Sequence, residues 1–143
     1  TLFPNLTLQR LFNPNYSYTL LKQYKGEWEF DTNLKMIFGH PKKAGWIKAI
    51  QEAQQTVQKG LKLDCPILVM SSNKSFPETE TWHEEYMTSD IVLDVQDIQK
   101  YGEKLGDKVT RDTIPNGIHD LILSQKPYRN DAYQTIFEWL KKQ

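Results

Sequence analysis

Two short stretches of the chain hold the residue types that acid–base catalysis uses. One is Ser89-Asp90-Ile91-Val92-Leu93-Asp94, and the other is Asn116-Gly117-Ile118-His119-Asp120. A carboxylate that accepts a hydrogen bond from one imidazole nitrogen fixes the tautomer and stabilises the imidazolium. The second nitrogen is then left to act as general base. The first stretch offers Asp90 or Asp94 as such an acid, and the second offers His119 as the base. Asp94 is the alternative acid. It is also placed to cap a helix beginning near residue 95, and Asp90 suits a capping role as well. A pair of this kind serves a nucleophile, yet no Gly-x-Ser-x-Gly elbow occurs in the 143 residues. His83 lies beside Glu84 and Glu85, which invites a metal reading. Neighbouring residues do not converge on one ion, so this stretch reads as a solvated face. His40 precedes Pro41 and reads as a turn residue.

Strands and helices must bring Asp90 and His119 together. Cys65-Pro66-Ile67-Leu68-Val69-Met70 contains a short, continuous apolar run after a proline. Its length and composition predict a strand buried on both faces, as in a parallel sheet. Val95, Ile98, Tyr101 and Leu105 mark a helical face ending near Gly106. Residues 108–114 read as a second, more polar strand. Residues 128–141 form the best helical pattern, with Ala132, Tyr133, Ile136, Phe137 and Leu140 on one side. Ahead of these, Trp46, Ile50, Ala53 and Val57 share a face of a helix that ends at Gly60. Strand, helix, strand and helix make a βαβα unit, so residues 67–70 should pair in parallel with 109–113 through a right-handed crossover. In open α/β sheets ligands bind beyond the carboxyl ends of the strands, where the Asp90 and His119 loops fall. Two strands bury their faces and edges poorly, so the pattern calls for additional sheet against residues 67–70.

Bulk properties exclude several classes. Eighteen basic and eighteen acidic residues cancel, which gives no electrostatic case for nucleic acid or an anionic membrane surface. No apolar run is long enough to span a bilayer, and the start has no signal-peptide pattern. Cys65 is the only cysteine, so an internal disulfide is impossible. These features lead to an expectation of a cytoplasmic location. No Gly-rich phosphate loop is present, which argues against a nucleotide enzyme.

Taken in order, Pro66-Ile67-Leu68-Val69-Met70-Ser71-Ser72, Ser89-Asp90-Ile91-Val92-Leu93-Asp94, Gly117-Ile118-His119-Asp120-Leu121 and the closing Trp139-Leu140 resemble the C-terminal half of α/β hydrolases. The group is that of serine aminopeptidases, lysophospholipases and monoacylglycerol-lipase relatives. The resemblance extends from Gly26-Glu27-Trp28-Glu29-Phe30-Asp31 to Trp139-Leu140. It departs from the family in lacking the nucleophile elbow and the oxyanion-hole segment, and in carrying an insert between Met70 and Asp90. The resemblance implies a partial α/β-hydrolase fold, with C-terminal parallel strands, flanking helices and part of a helical cap. Residues 1–44 would be the cap-like segment and 45–143 the core. It also implies a Ser-His-Asp hydrolase of carboxylic esters with lipid-like or acyl substrates and no cofactor. It makes His119 the general base and Asp90 its orienting acid, both in this chain, with the serine in an N-terminal half of the same hydrolase. Ser71 and Ser72 would open the loop after the strand and would not be nucleophiles. Residues 2–24, rich in leucine and aromatics, suit either a lid over an acyl pocket or ordinary packing. The alternative function is a hydrolase-shaped binding or scaffold domain without catalysis.

Overall fold

A computed structural model of the chain describes residues 3–8 and 13–143. Its helices are α1 (Asn15–Leu20), α2 (Ala44–Lys59), α3 (Val95–Gly102) and α4 (Lys126–Leu140). Its strands are β1 (Ile67–Ser72) and β2 (Val109–Ile114), which form a two-stranded parallel sheet flanked by helices. Short 3₁₀ turns lie at Glu84–Thr88, Glu103–Leu105 and Leu121–Leu123. No helix among the described residues is long and apolar enough to cross a membrane.

The parallel pairing has the register expected from the βαβ order, with Ile67 opposite Val109 and Ser72 opposite Ile114. α3 crosses between the strands and lies close against β1. A Cβ placed on Gly102 would come 2.8 Å from Val69 Cγ1, so only glycine allows this approach without movement. Asp94 caps α3, its Oδ1 accepting from the Gln96 main-chain N–H at 2.9 Å.

Two features of β1 differ from the sequence expectation. The strand runs on through Ser71 and Ser72, which are its most buried residues instead of the start of a loop. Their hydroxyls are accommodated locally. Ser71 donates to the Ser72 carbonyl and accepts from Gln99 Nε2, and Ser72 accepts from the Lys74 N–H. Conversely, Ile67, Leu68, Val69 and Met70 are only half-buried. Their flank is thinly covered because β1 pairs with β2 alone among the described residues.

The core that does form is small. Among the described residues, Leu20, Leu21, Tyr86, Met87, Val95, Ile114, Ile118 and Ala132 are its buried apolar members. α2 buries none of its residues, and Trp46 at the head of its apolar face is 53% exposed. On α4, Ala132 is buried, whereas Phe137 and Leu140 are exposed. Residues 13–44 are mostly turns around α1 and rest on the rest of the chain. Trp28 Nε1 donates to the Leu123 carbonyl at 2.8 Å, and Arg129 stacks over the Trp28 ring while pairing with Glu27. Part of the suggested lid, residues 2 and 9–12, lies outside the described residues.

Candidate active site

Asp90 is held by main chain on both sides. Its N–H donates to the Lys74 carbonyl and its own carbonyl accepts from the Phe76 N–H, each at 3.0 Å, a short parallel bridge just beyond the end of β1. The carboxylate is 1% exposed. Oδ1 accepts from the N–H groups of Val92 and Leu93 at 2.8 and 2.9 Å. The capping and catalytic readings of Asp90 are therefore compatible, because the other oxygen remains free for a second partner.

His119 reaches Asp90 through a turn that follows β2. Asn116 adopts a left-handed conformation (φ 59°), which asparagine tolerates better than most residues. Its N–H donates to Asn73 Oδ1 at 3.0 Å, joining the turn to the loop after β1. Gly117 N–H then closes back on the Ile114 carbonyl at 3.1 Å. A Cβ at Gly117 would sit 2.6 Å from Leu121 Cδ2 and 3.2 Å from the Ile114 carbonyl oxygen, so a larger residue would displace the Leu121 side chain and crowd the turn. Ile118 is buried, and its N–H donates to Ser124 Oγ at 3.0 Å. These ties aim the next side chain back across the sheet end.

His119 Nδ1 lies 2.9 Å from Asp90 Oδ2. An ionised carboxylate can only accept, so Nδ1 carries the proton and Nε2 presents a lone pair when the ring is neutral. The His119 side chain is 28% exposed, which leaves it open to a reactant. Its proton affinity is raised mainly by the hydrogen bond to Asp90, against the opposing effect of burial. The charges of Asp90 and Asp120 add to the rise and Lys35 detracts from it. For Asp90, burial alone would raise the carboxyl. The hydrogen bonds from His119, Leu93 and Val92 outweigh it and hold the group below the ordinary carboxylate range. A carboxylate that stays charged beside a histidine that protonates readily is the electrostatic state a base-orienting pair needs.

The structure thus brings together Asp90 and His119, the two site residues expected from the sequence, and assigns Asp94 to capping α3 instead. It brings no nucleophile to them. Among the described residues no serine or cysteine hydrogen-bonds to the His119 ring. Ser71, Ser72 and Ser124 make the bonds given above, Cys65 is exposed, and the Ser89 hydroxyl is buried without a hydrogen-bond partner. His83 packs against the rings of Phe76 and Tyr86 with centroids 5.5 Å away in each case, while Glu84 and Glu85 face solvent. No group of three or more potential metal ligands occurs among the described residues. Two residues near His119 were not apparent from local pattern. The Tyr16 ring meets the His119 ring edge-on at 6.0 Å, and Lys35 lies 3.6 Å from Asp120. Each is separated from the histidine by most of the chain, so no local motif marks it. In comparisons with known proteins, the chain matches no family model, no curated sequence and no solved structure.

Proposed function

We propose that this chain supplies the acid and the base of a Ser-His-Asp hydrolase that cleaves carboxylic esters with lipid-like or acyl substrates. The observation that carries the reading is the buried Asp90 carboxylate 2.9 Å from His119 Nδ1, beyond the carboxyl ends of two adjacent parallel strands. The serine comes from an N-terminal half of the same hydrolase, on a strand that pairs with the open edge of β1. His119 Nε2 takes the serine proton as the hydroxyl attacks the ester carbonyl. It then returns that proton to the departing alcohol, with Asp90 stabilising the imidazolium between the two steps. The half-buried apolar residues 67–70 and the exposed faces of α2 and α4 support this reading. They are surfaces that further sheet and helix would cover. The resemblance to α/β hydrolases supplies the order of acid before histidine, the partial hydrolase fold and the division into a cap-like segment and a core.

The test is hydrolysis of p-nitrophenyl esters by the protein expressed from the whole reading frame in which this chain lies. Wild type should turn over, and Asp90→Asn and His119→Ala should each lower kcat/KM by several orders of magnitude, on the order of 10⁴. Full activity in His119→Ala would exclude His119 as the base, and no turnover by wild type would favour a hydrolase-shaped binding domain.

A further inference from the structure

Asp120 follows His119 directly, and a free carboxylate there is a hazard to a general base. If it swung onto Nε2 it would favour the tautomer protonated on that nitrogen and occupy the lone pair that must accept a proton. The structure shows what restrains it. The Tyr16 hydroxyl donates to Asp120 Oδ2, and Lys35 Nζ lies 3.6 Å from the same oxygen. Lys35 is itself seated over two rings, 5.6 Å from the centre of Tyr16 and 5.7 Å from that of Phe30. The Tyr16 ring also abuts the imidazole edge-on, at an interplanar angle of 77°. Both restraining residues come from the 13–44 segment, far from Asp120 in sequence.

We propose that Tyr16 and Lys35 are positioning residues that hold the Asp120 carboxylate off Nε2, so that the 13–44 segment fixes the His119 ring and sets its charge. This rests on His119 being the base proposed above. Among the described residues, the charged and titratable groups around the imidazole are Asp90 from the loop beyond β1, Asp120 from its own turn, and Tyr16 and Lys35 from the N-terminal segment. Asp120 favours the imidazolium and Lys35 opposes it, so the two act in opposite senses. Burial, followed by the bond to Asp120, pushes the Tyr16 phenol far above its ordinary value, so it remains a donor throughout the working pH range. α1 has anchors apart from this contact. Asn15 Nδ2 donates to the Thr79 carbonyl and Ser17 Oγ to the Ile37 carbonyl, both at 2.8 Å. Removing the Tyr16 hydroxyl therefore leaves the helix in place.

The experiment is an NMR pH titration of the His119 ring in the 143-residue chain, which needs no nucleophile. Asp120→Asn should lower the His119 midpoint by about 0.3–0.5 pH unit, and Lys35→Met should raise it by a similar amount, the size expected for partly solvated charges. Tyr16→Phe, which keeps the ring but frees the Asp120 carboxylate to approach the imidazole, should raise it. Thermal melts of each variant establish that it is folded. Midpoints that stay within about 0.1 unit in both charge variants or move the same way in both, or a Tyr16→Phe midpoint at or below that of wild type, would overturn the proposal. If the opposite shifts are seen while His119→Ala leaves the intact protein fully active, the catalytic reading fails and the electrostatic coupling stands by itself.

Discussion

Replacing Asp90 by asparagine keeps the shape of the side chain and removes its charge, which isolates what the Asp90–His119 bond contributes. The amide oxygen can still accept from Val92 and Leu93, as Oδ1 does now. The amide nitrogen then faces His119 Nδ1 and must donate, which drives the ring to the tautomer protonated on Nε2. What is lost is a hydrogen bond between a 1% exposed carboxylate and a 28% exposed imidazole. A charge-assisted bond of this kind contributes about 2 kcal/mol, which for a chain of this size lowers Tm by roughly 6–8 °C. The pH dependence follows from the two shifts. Asp90 is held below its ordinary range, so its contribution is present above about pH 4 and is lost as pH falls through its folded value. His119 is raised, so its contribution is present below about pH 6.5 and is lost as pH rises through its folded value. The gap between wild type and Asp90→Asn should therefore be widest between about pH 4 and 6.5 and should narrow on the alkaline side. Urea denaturation at roughly pH 5.5 and pH 8.5, bracketing the ordinary histidine value, measures both ends. A gap that is equal at the two pH values, or wider at the higher one, would mean that the Asp90–His119 bond does not stabilise the fold through a charged imidazolium.

Three further outcomes are expected. Gly117→Ala should destabilise the chain by about 1 kcal/mol, because its Cβ displaces the Leu121 side chain at 2.6 Å and crowds the Ile114 carbonyl at 3.2 Å. The same variant should shift the His119 ring signals, since the turn aims that side chain; denaturation and NMR check the two effects. Ser89→Ala should be neutral or stabilising, by up to about 1 kcal/mol, because the buried hydroxyl has no hydrogen-bond partner; a thermal melt decides. The 143-residue chain alone should hydrolyse no p-nitrophenyl ester and take up no fluorophosphonate, because no serine is presented to His119; stoichiometric labelling of a serine within it would contradict this.

The parallel pairing of β1 with β2 was legible because apolar run, helical face and second strand follow one another, and because a parallel crossover has one favoured hand. The same order placed Asp90 and His119 at one end of the sheet. Asp94 and Asp90 could not be separated by type or spacing. The choice depends on the Lys74–Asp90–Phe76 bridge, which turns Asp90 inward, while Asp94 lies where α3 needs a cap. The extension of β1 through Ser71 and Ser72 was illegible for a similar reason. Two serines look like a loop until Gln99 and the neighbouring main chain satisfy them. The apolar faces of α2 and α4 were read correctly as helical, but periodicity shows that a face is apolar, not that this chain covers it. Tyr16 and Lys35 leave no local signal at all, because their roles arise only when the 13–44 segment lies against the His119 turn.

In the function proposed above, His119, oriented by Asp90, activates a serine outside these residues. Fluorophosphonate labelling of the protein from the whole reading frame, followed by peptide mapping, tests it most directly. One modified serine is expected, in a Gly-x-Ser-x-Gly turn beyond residues 1–143, with labelling nearly abolished in His119→Ala and strongly slowed in Asp90→Asn. A modified serine whose labelling rate is the same in wild type and His119→Ala would contradict it.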